Sequence, residues 1–181
     1  KAISIGADTL IIEVSSEDDN YLIIRFLGVN KPNIAGLCAE VACYVRDWFD
    51  LDRDLRPFYT MAKEDALLGP AVDSFYGLRI IGIPDLFEAF CWGILGQQIN
   101  LSFAYTLKRR LVEKFGRSVV HDGITYWVFP LPEDIAGLQV EELESFCMTK
   151  KKSEYLIGVA QLMVEEKLTK EKLLNLSNHK D

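Results

Sequence analysis

The sequence has only two histidines, and its four cysteines, Cys38, Cys43, Cys91 and Cys147, include no pair at a Cys-x-x-Cys spacing. That scarcity excludes the common zinc and iron–sulfur ligand sets, so no metal is expected. No apolar run approaches the ~20 residues that a membrane-spanning helix needs, and no membrane partner is expected. No signal peptide is expected, because the chain opens with Lys1-Ala2-Ile3-Ser4-Ile5, which reads as a strand edge. There is no Gly-rich phosphate loop, no His-Glu-x-x-His and no Gly-x-Ser-x-Gly, so by motif alone the chain names no nucleophile. Internal repeats and low-complexity tracts are absent. What remains is a globular protein expected in a reducing cytosol, its thiols reduced and packed in the core as small hydrophobes.

Of the 181 residues, 49% are hydrophobic and 26% charged, ordinary for a globular chain. Folding at this length can bury roughly 70% of the unfolded surface, enough for a real core. The net charge of −7 argues against a general polyanion binder. It is unevenly spread: residues 1–100 carry 8 Lys and Arg against 15 Asp and Glu, whereas residues 101–181 carry 12 against 12. Any contact with an anion is therefore expected in the second half. A first residue other than Met, already inside an element, suggests a piece of a longer chain.

Alternation predicts three short strands at 2–5, 9–15 and 20–27, with Glu17-Asp18-Asp19-Asn20 turning between the latter two. Asn33 is expected to open a helix whose stripe is Ile34, Leu37, Cys38, Val41, Val45, Trp48 and Phe49. Residues 1–54 then form the remainder of a sheet domain. Residues 55–83 read as a connector with one short helix at 57–66 and breakers at Gly69-Pro70 and Gly77.

From Pro84 the pattern is helical, and 84–181 reads as the first part of a helical domain. Asp85 is a good N-cap. The helix after it is apolar nearly all round (Leu86, Phe87, Phe90, Cys91, Ile94 and Leu95) and should be buried. A second helix is expected at 102–115, closed by Gly116, and a hairpin at 119–129 turning at His121-Asp122-Gly123. Short helices at 133–138 and 140–146 follow. A longer one at 150–166 carries Tyr155, Leu156, Val159, Leu162 and Met163 on one face, and a last one begins at Thr169. Strands followed by helices imply an α+β fold, a small antiparallel sheet with a packed helix and then a mainly α-helical domain. Trp48, Trp92 and Trp127 read as core residues.

The informative stretch is Gly93-Ile94-Leu95-Gly96-Gln97-Gln98-Ile99-Asn100, where a buried helix ends abruptly in amides. The plain reading is solvated or capping groups. The sharper one is a turn that pushes amides into an opened duplex, filling the gap left by an extruded base and hydrogen-bonding its orphaned partner. Basic residues cluster at Lys108-Arg109-Arg110, with Lys114 and Arg117, and at Lys150-Lys151-Lys152. Cations at a helix N-terminus oppose its dipole, so the second cluster has no local stability reason. A phosphate contact would account for it, with Lys151 and Lys152 the candidates.

The run Ile83-Pro84-Asp85-Leu86-Phe87-Glu88-Ala89-Phe90-Cys91-Trp92-Gly93-Ile94-Leu95-Gly96-Gln97-Gln98-Ile99-Asn100 resembles the entry helix of the helix-hairpin-helix DNA glycosylase superfamily. It is most similar to the alkylation-repair branch, the Bacillus-type 3-methyladenine DNA glycosylases II. The similarity continues at Trp48-Phe49-Asp50-Leu51-Asp52, Phe75-Tyr76-Gly77-Leu78-Arg79, Tyr126-Trp127-Val128-Phe129-Pro130 and Met148 to Tyr155.

The resemblance implies base-excision repair, in which an alkylated purine is flipped from double-stranded DNA and its N-glycosidic bond hydrolysed by a monomer with no metal or nucleotide cofactor. It places the wedge at Gln98, beside Gln97 and Asn100, and puts Leu101 near the base pocket. Some members of the branch carry Leu at the wedge, where Gln98 matches the sister glycosylases. It implies no catalytic residue within this chain: the hairpin and catalytic aspartate are expected after Asp181, and the piece alone is expected to be inactive. The competing expectation is a non-catalytic α-helical protein-interaction module.

Overall fold

A computed structural model describes residues 1–6, 8–18, 21–28 and 35–177. Asp19 and Asn20 of the expected turn, Asn33 and Ile34 of the expected helix start, and Asp181 lie outside these residues.

Two compact units divide the chain: Lys1–Ile34 with Asp85–Asp181, and Ala35–Pro84. In this division the first helix groups with the segment after it and not with the strands.

In the larger unit, β1 (Ala2–Ile5), β2 (Asp8–Asp18) and β3 (Tyr21–Leu27) form an antiparallel sheet in that order. β2 runs further than expected, through Asp18, because a register shift between Ser15 and Asp18 absorbs residues that read as a turn. Leu10, Ile11 and Ile12 are all buried, as are Ala2 and Ile3, so the sheet is covered on both faces at this end and strict alternation fails there.

The smaller unit holds α1 (Ala35–Trp48), α2 (Arg56–Lys63) and α3 (Leu68–Ser74). Val41 and Val45 are the buried pair of the α1 stripe, while Cys38 is exposed. The helix α3 replaces the expected break at Gly69-Pro70. Pro70 falls in its first turn, where no intrahelical N–H bond is required, so proline starts this helix instead of ending one.

The helical core belongs to the larger unit. It is built by α4 (Leu86–Leu95), α5 (Leu101–Phe115), α6 (Pro132–Ala136), α7 (Val140–Glu144) and α8 (Lys150–Val164), with α9 (Lys170–Ser177) following. Phe87, Cys91, Ile94 and Leu95 of α4 meet Leu107 and Leu111 of α5, Ile135, Leu143, and Leu156, Ile157 and Ala160 of α8. Each large side chain so buried contributes about 1.5–3 kcal/mol. Leu156 is buried and Val159 and Met163 pack against the core, as expected; Ser153, Ile157 and Ala160 join them on the buried face, leaving Tyr155 and Leu162 exposed. With Phe90 and Ile94 they line an open groove of about 550 Å³.

Between α5 and α6 lies a hairpin, β4 (Arg117–His121) with β5 (Ile124–Val128). Asp122 and Gly123 have φ of 49° and 75°, the positive pair that a tight two-residue turn requires. Gly116 closes α5 for a different reason from the one expected. Its backbone is extended, but a Cβ there would lie 2.4 Å from the Val128 carbonyl oxygen and 2.5 Å from that of Val112. Trp127, expected in the core, is 41% exposed on β5. The architecture is α+β, as the sequence predicts.

Candidate functional site

The stretch carrying the two glutamines is fixed from both ends. Upstream, Asp85 caps α4 by accepting a 2.6 Å hydrogen bond from the Glu88 N–H. The last turn closes through the Gly96 N–H on the Trp92 carbonyl at 3.0 Å and the Gln97 N–H on the Ile94 carbonyl at 3.4 Å. Downstream, the Asn100 side chain accepts from the Phe103 N–H at 2.8 Å and caps α5. Ile99 packs against the core. Between these anchors Gln97 and Gln98 are both exposed, and Gln98 has φ of 56°, in the left-handed region.

That conformation costs a non-glycine residue roughly 1–2 kcal/mol and persists only where the surroundings over-determine it. Glycine would adopt it with no steric cost, yet the sequence keeps a long amide there. Asn100 serves as the N-cap of α5, so its carbonyl oxygen is engaged by the protein backbone. Leu101, expected near a base pocket, is 68% exposed and is not enclosed by the described residues.

The lysine cluster separates into two environments. Thr149 caps α8 by accepting from the Lys152 N–H, and Lys150 and Lys151 in the first turn are exposed. Lys152 is not the surface cation that the sequence suggested. It is 9% exposed, and its Nζ donates a 2.7 Å hydrogen bond to the Leu95 carbonyl oxygen at the end of α4. Burial pushes its ammonium below the ordinary lysine range. This contact sets the start of α8 beside the end of α4, so Lys151 and the two glutamines come from adjoining helix ends.

The contact spans 57 residues of sequence, and no local pattern predicts it. Its one trace in the sequence is a cation at a helix N-terminus with no local reason to be there. The other basic cluster is also partly engaged. Lys108 donates to Glu88, and Arg110 donates to the Phe146 carbonyl at 3.4 Å. Arg109, Lys114 and Arg117 are exposed.

A helical core joined to a small antiparallel sheet is the fold of DNA glycosylases. It is shared with a 3-methyladenine DNA glycosylase from Archaeoglobus fulgidus, at a TM-score of 0.74 and 23% identity over 88% of this chain and 54% of that one. An 8-oxoguanine glycosylase/lyase from Clostridium acetobutylicum, solved with double-stranded DNA, matches at a TM-score of 0.63 and 19% identity over 92% of this chain and 53% of that one. Residues 91–180 match the HhH-GPD superfamily base excision DNA repair protein family, and residues 3–90 match the 8-oxoguanine DNA glycosylase N-terminal domain. The chain belongs to the HhH-GPD superfamily.

Among curated relatives, the DNA-3-methyladenine glycosylase of Bacillus subtilis (strain 168) is 51% identical over all 181 residues, which cover 59% of its length. The DNA-3-methyladenine glycosylase 2 of Escherichia coli (strain K12) is 33% identical over 89 residues, 49% of this chain and 31% of that protein. The chain thus spans less than two thirds of the length of these relatives.

Proposed function

We propose that this chain is the duplex-probing part of a base-excision glycosylase that hydrolyses the N-glycosidic bond of alkylated purines in double-stranded DNA. The observation that carries this reading is the pair Gln97 and Gln98, both exposed on a turn anchored at each end, with Gln98 held in a left-handed conformation. A stiff turn can enter a duplex without first ordering itself, which lowers the entropic cost of insertion. The Gln98 amide, acceptor and donor together, can fill the space of an extruded base and pair with its orphaned partner. Lys151, exposed at the neighbouring helix start, suits a phosphate contact that sets register. The relative at 51% identity supports alkylated purine as the substrate class.

The reaction needs little acid–base assistance, because a 3-alkylated purine is cationic and leaves readily. Extrusion costs a few kcal/mol, least for a damaged pair. A carboxylate then steadies the oxocarbenium-like sugar and positions water. This reading assigns that carboxylate to no residue of 1–181 and has the protein act as a monomer in the bacterial cytosol.

The test is binding of the protein to a duplex holding one abasic-site analogue, against the same duplex undamaged, by fluorescence anisotropy. A preference of tenfold or more for the abasic duplex is expected. Equal affinity for the two would overturn the reading and favour a protein-interaction module.

A further inference from the structure

We propose that Lys152 is a positioning residue: its bond to the Leu95 carbonyl locks the end of α4 and so holds the Gln97-Gln98 turn in its exposed geometry. The inference rests on the reading that this turn enters DNA.

Leu95 is the last residue of α4, and its carbonyl is one of the four that a helix end leaves without an intrahelical partner. The Trp92 and Ile94 carbonyls are served by the Gly96 and Gln97 N–H groups. The Leu95 carbonyl receives the Lys152 ammonium at 2.7 Å. Nothing local favours a buried cation at that position. The first turn of α8 presents its positive end to its own lysine, and desolvation disfavours the charge. What offsets these costs is the negative end of α4, whose dipole and free carbonyl both attract an ammonium.

The turn that follows begins at the next residue. Gly96 has helical φ and ψ, Gln97 closes with a long 3.4 Å bond, and Gln98 is left-handed. A sequence of weak bonds ending in a strained residue holds one shape only if its starting point is fixed. Downstream the Asn100 cap fixes it, and upstream Lys152 does. The same residue therefore links the helix that presents Lys151 to the helix that presents the glutamines, making the two contacts one rigid unit.

The experiment compares Lys152→Met, which keeps the length without the donor, with Lys152→Arg, which keeps a cation. Amide hydrogen exchange is read at Gly96 and Gln97, and affinity for abasic and undamaged duplexes is read as a function of salt. In Lys152→Met, exchange at these two amides is expected to rise at least tenfold while that of Leu107 and Leu111 changes less than twofold. Its abasic preference should fall about tenfold at unchanged salt slope, and Lys152→Arg should restore both.

A uniform rise in exchange through α4, α5 and α8 would reduce Lys152 to a core residue and overturn the proposal. A shallower salt slope in Lys152→Met would make it a phosphate contact and overturn it equally. If Lys152→Met does not fold, the wild-type protein decides by exchange in sub-denaturing urea. Gly96 and Gln97 must then open together with the first turn of α8, and independent opening would overturn the proposal. Absence of abasic preference in the wild-type protein would sink the DNA reading while leaving the exchange result to judge the positioning role.

Discussion

Lys108 of α5 reaches Glu88 of α4 across 20 residues at 2.6 Å, with side chains only 24% and 13% exposed and the ammonium 4.7 Å from the Trp92 ring centre. Acid–base pairs such as Arg25 with Glu13 and Arg56 with Asp54 have at least one partner half exposed or more. Exposed pairs contribute little, whereas removing one member of a sheltered pair leaves the other desolvated and unpaired. Lys108→Met is therefore expected to lower unfolding free energy by about 1–3 kcal/mol. Urea denaturation at low and at 1 M salt measures this, and the loss should persist at high salt. A loss confined to low salt would show that the pair is solvated.

Gln98 allows function and stability to be separated. Its left-handed backbone costs roughly 1 kcal/mol, which Gln98→Gly removes, while the added freedom of the unfolded chain costs a similar amount. Both Gln98→Gly and Gln98→Ala should thus unfold within about 1 kcal/mol of wild type, since the side chain is exposed. Both lose the amide, and each should bind an abasic duplex roughly tenfold more weakly. Retained affinity in Gln98→Gly alone would mean that turn shape matters and the amide does not.

Much of this site was legible in the sequence because its signals are local. A helix apolar all round that stops at two glutamines and an asparagine marks the turn, and Asp85 declares its cap three residues ahead of the N–H it accepts. The Asp-Gly hairpin is equally local. The failures are tertiary. Lys152 reads as a surface cation because its partner is 57 residues away. The α8 stripe was set by the largest side chains, Tyr155 and Leu162, although Ser153 and Ala160 face the core. Gly69-Pro70 reads as a break because the dipeptide is a breaker in mid-helix and a starter in a first turn.

Asp54 gives a pH dependence of known sign. Its carboxylate accepts from the Arg56 guanidinium and from the Arg56 N–H, the interactions that hold it down at about 2 from an ordinary 3.8. A carboxyl depressed in the folded state contributes stability that is complete above 3.8 and disappears as pH falls towards 2. Thermal unfolding between pH 5 and 2 should therefore show a loss in wild type that is smaller in Asp54→Asn. Because the pair is exposed, 1 M salt should shrink the difference. Parallel curves for the two proteins would show that the Asp54–Arg56 pair does not form in solution.

All four cysteines read as core thiols, yet only Cys91 is buried, packed in the α4 face of the core; Cys38, Cys43 and Cys147 are exposed and free. The thiolate is the reactive form, and burial pushes the Cys91 thiol up while denying access to reagents. A disulfide reagent at pH 8 should therefore modify three thiols per chain quickly, and the fourth only as fast as the protein unfolds. Mass spectrometry of the modified peptides should find Cys91 as the slow one. Fast modification of all four without denaturant would show that the α4 helix opens from the core in the native state, and that the glutamine turn is not rigidly supported.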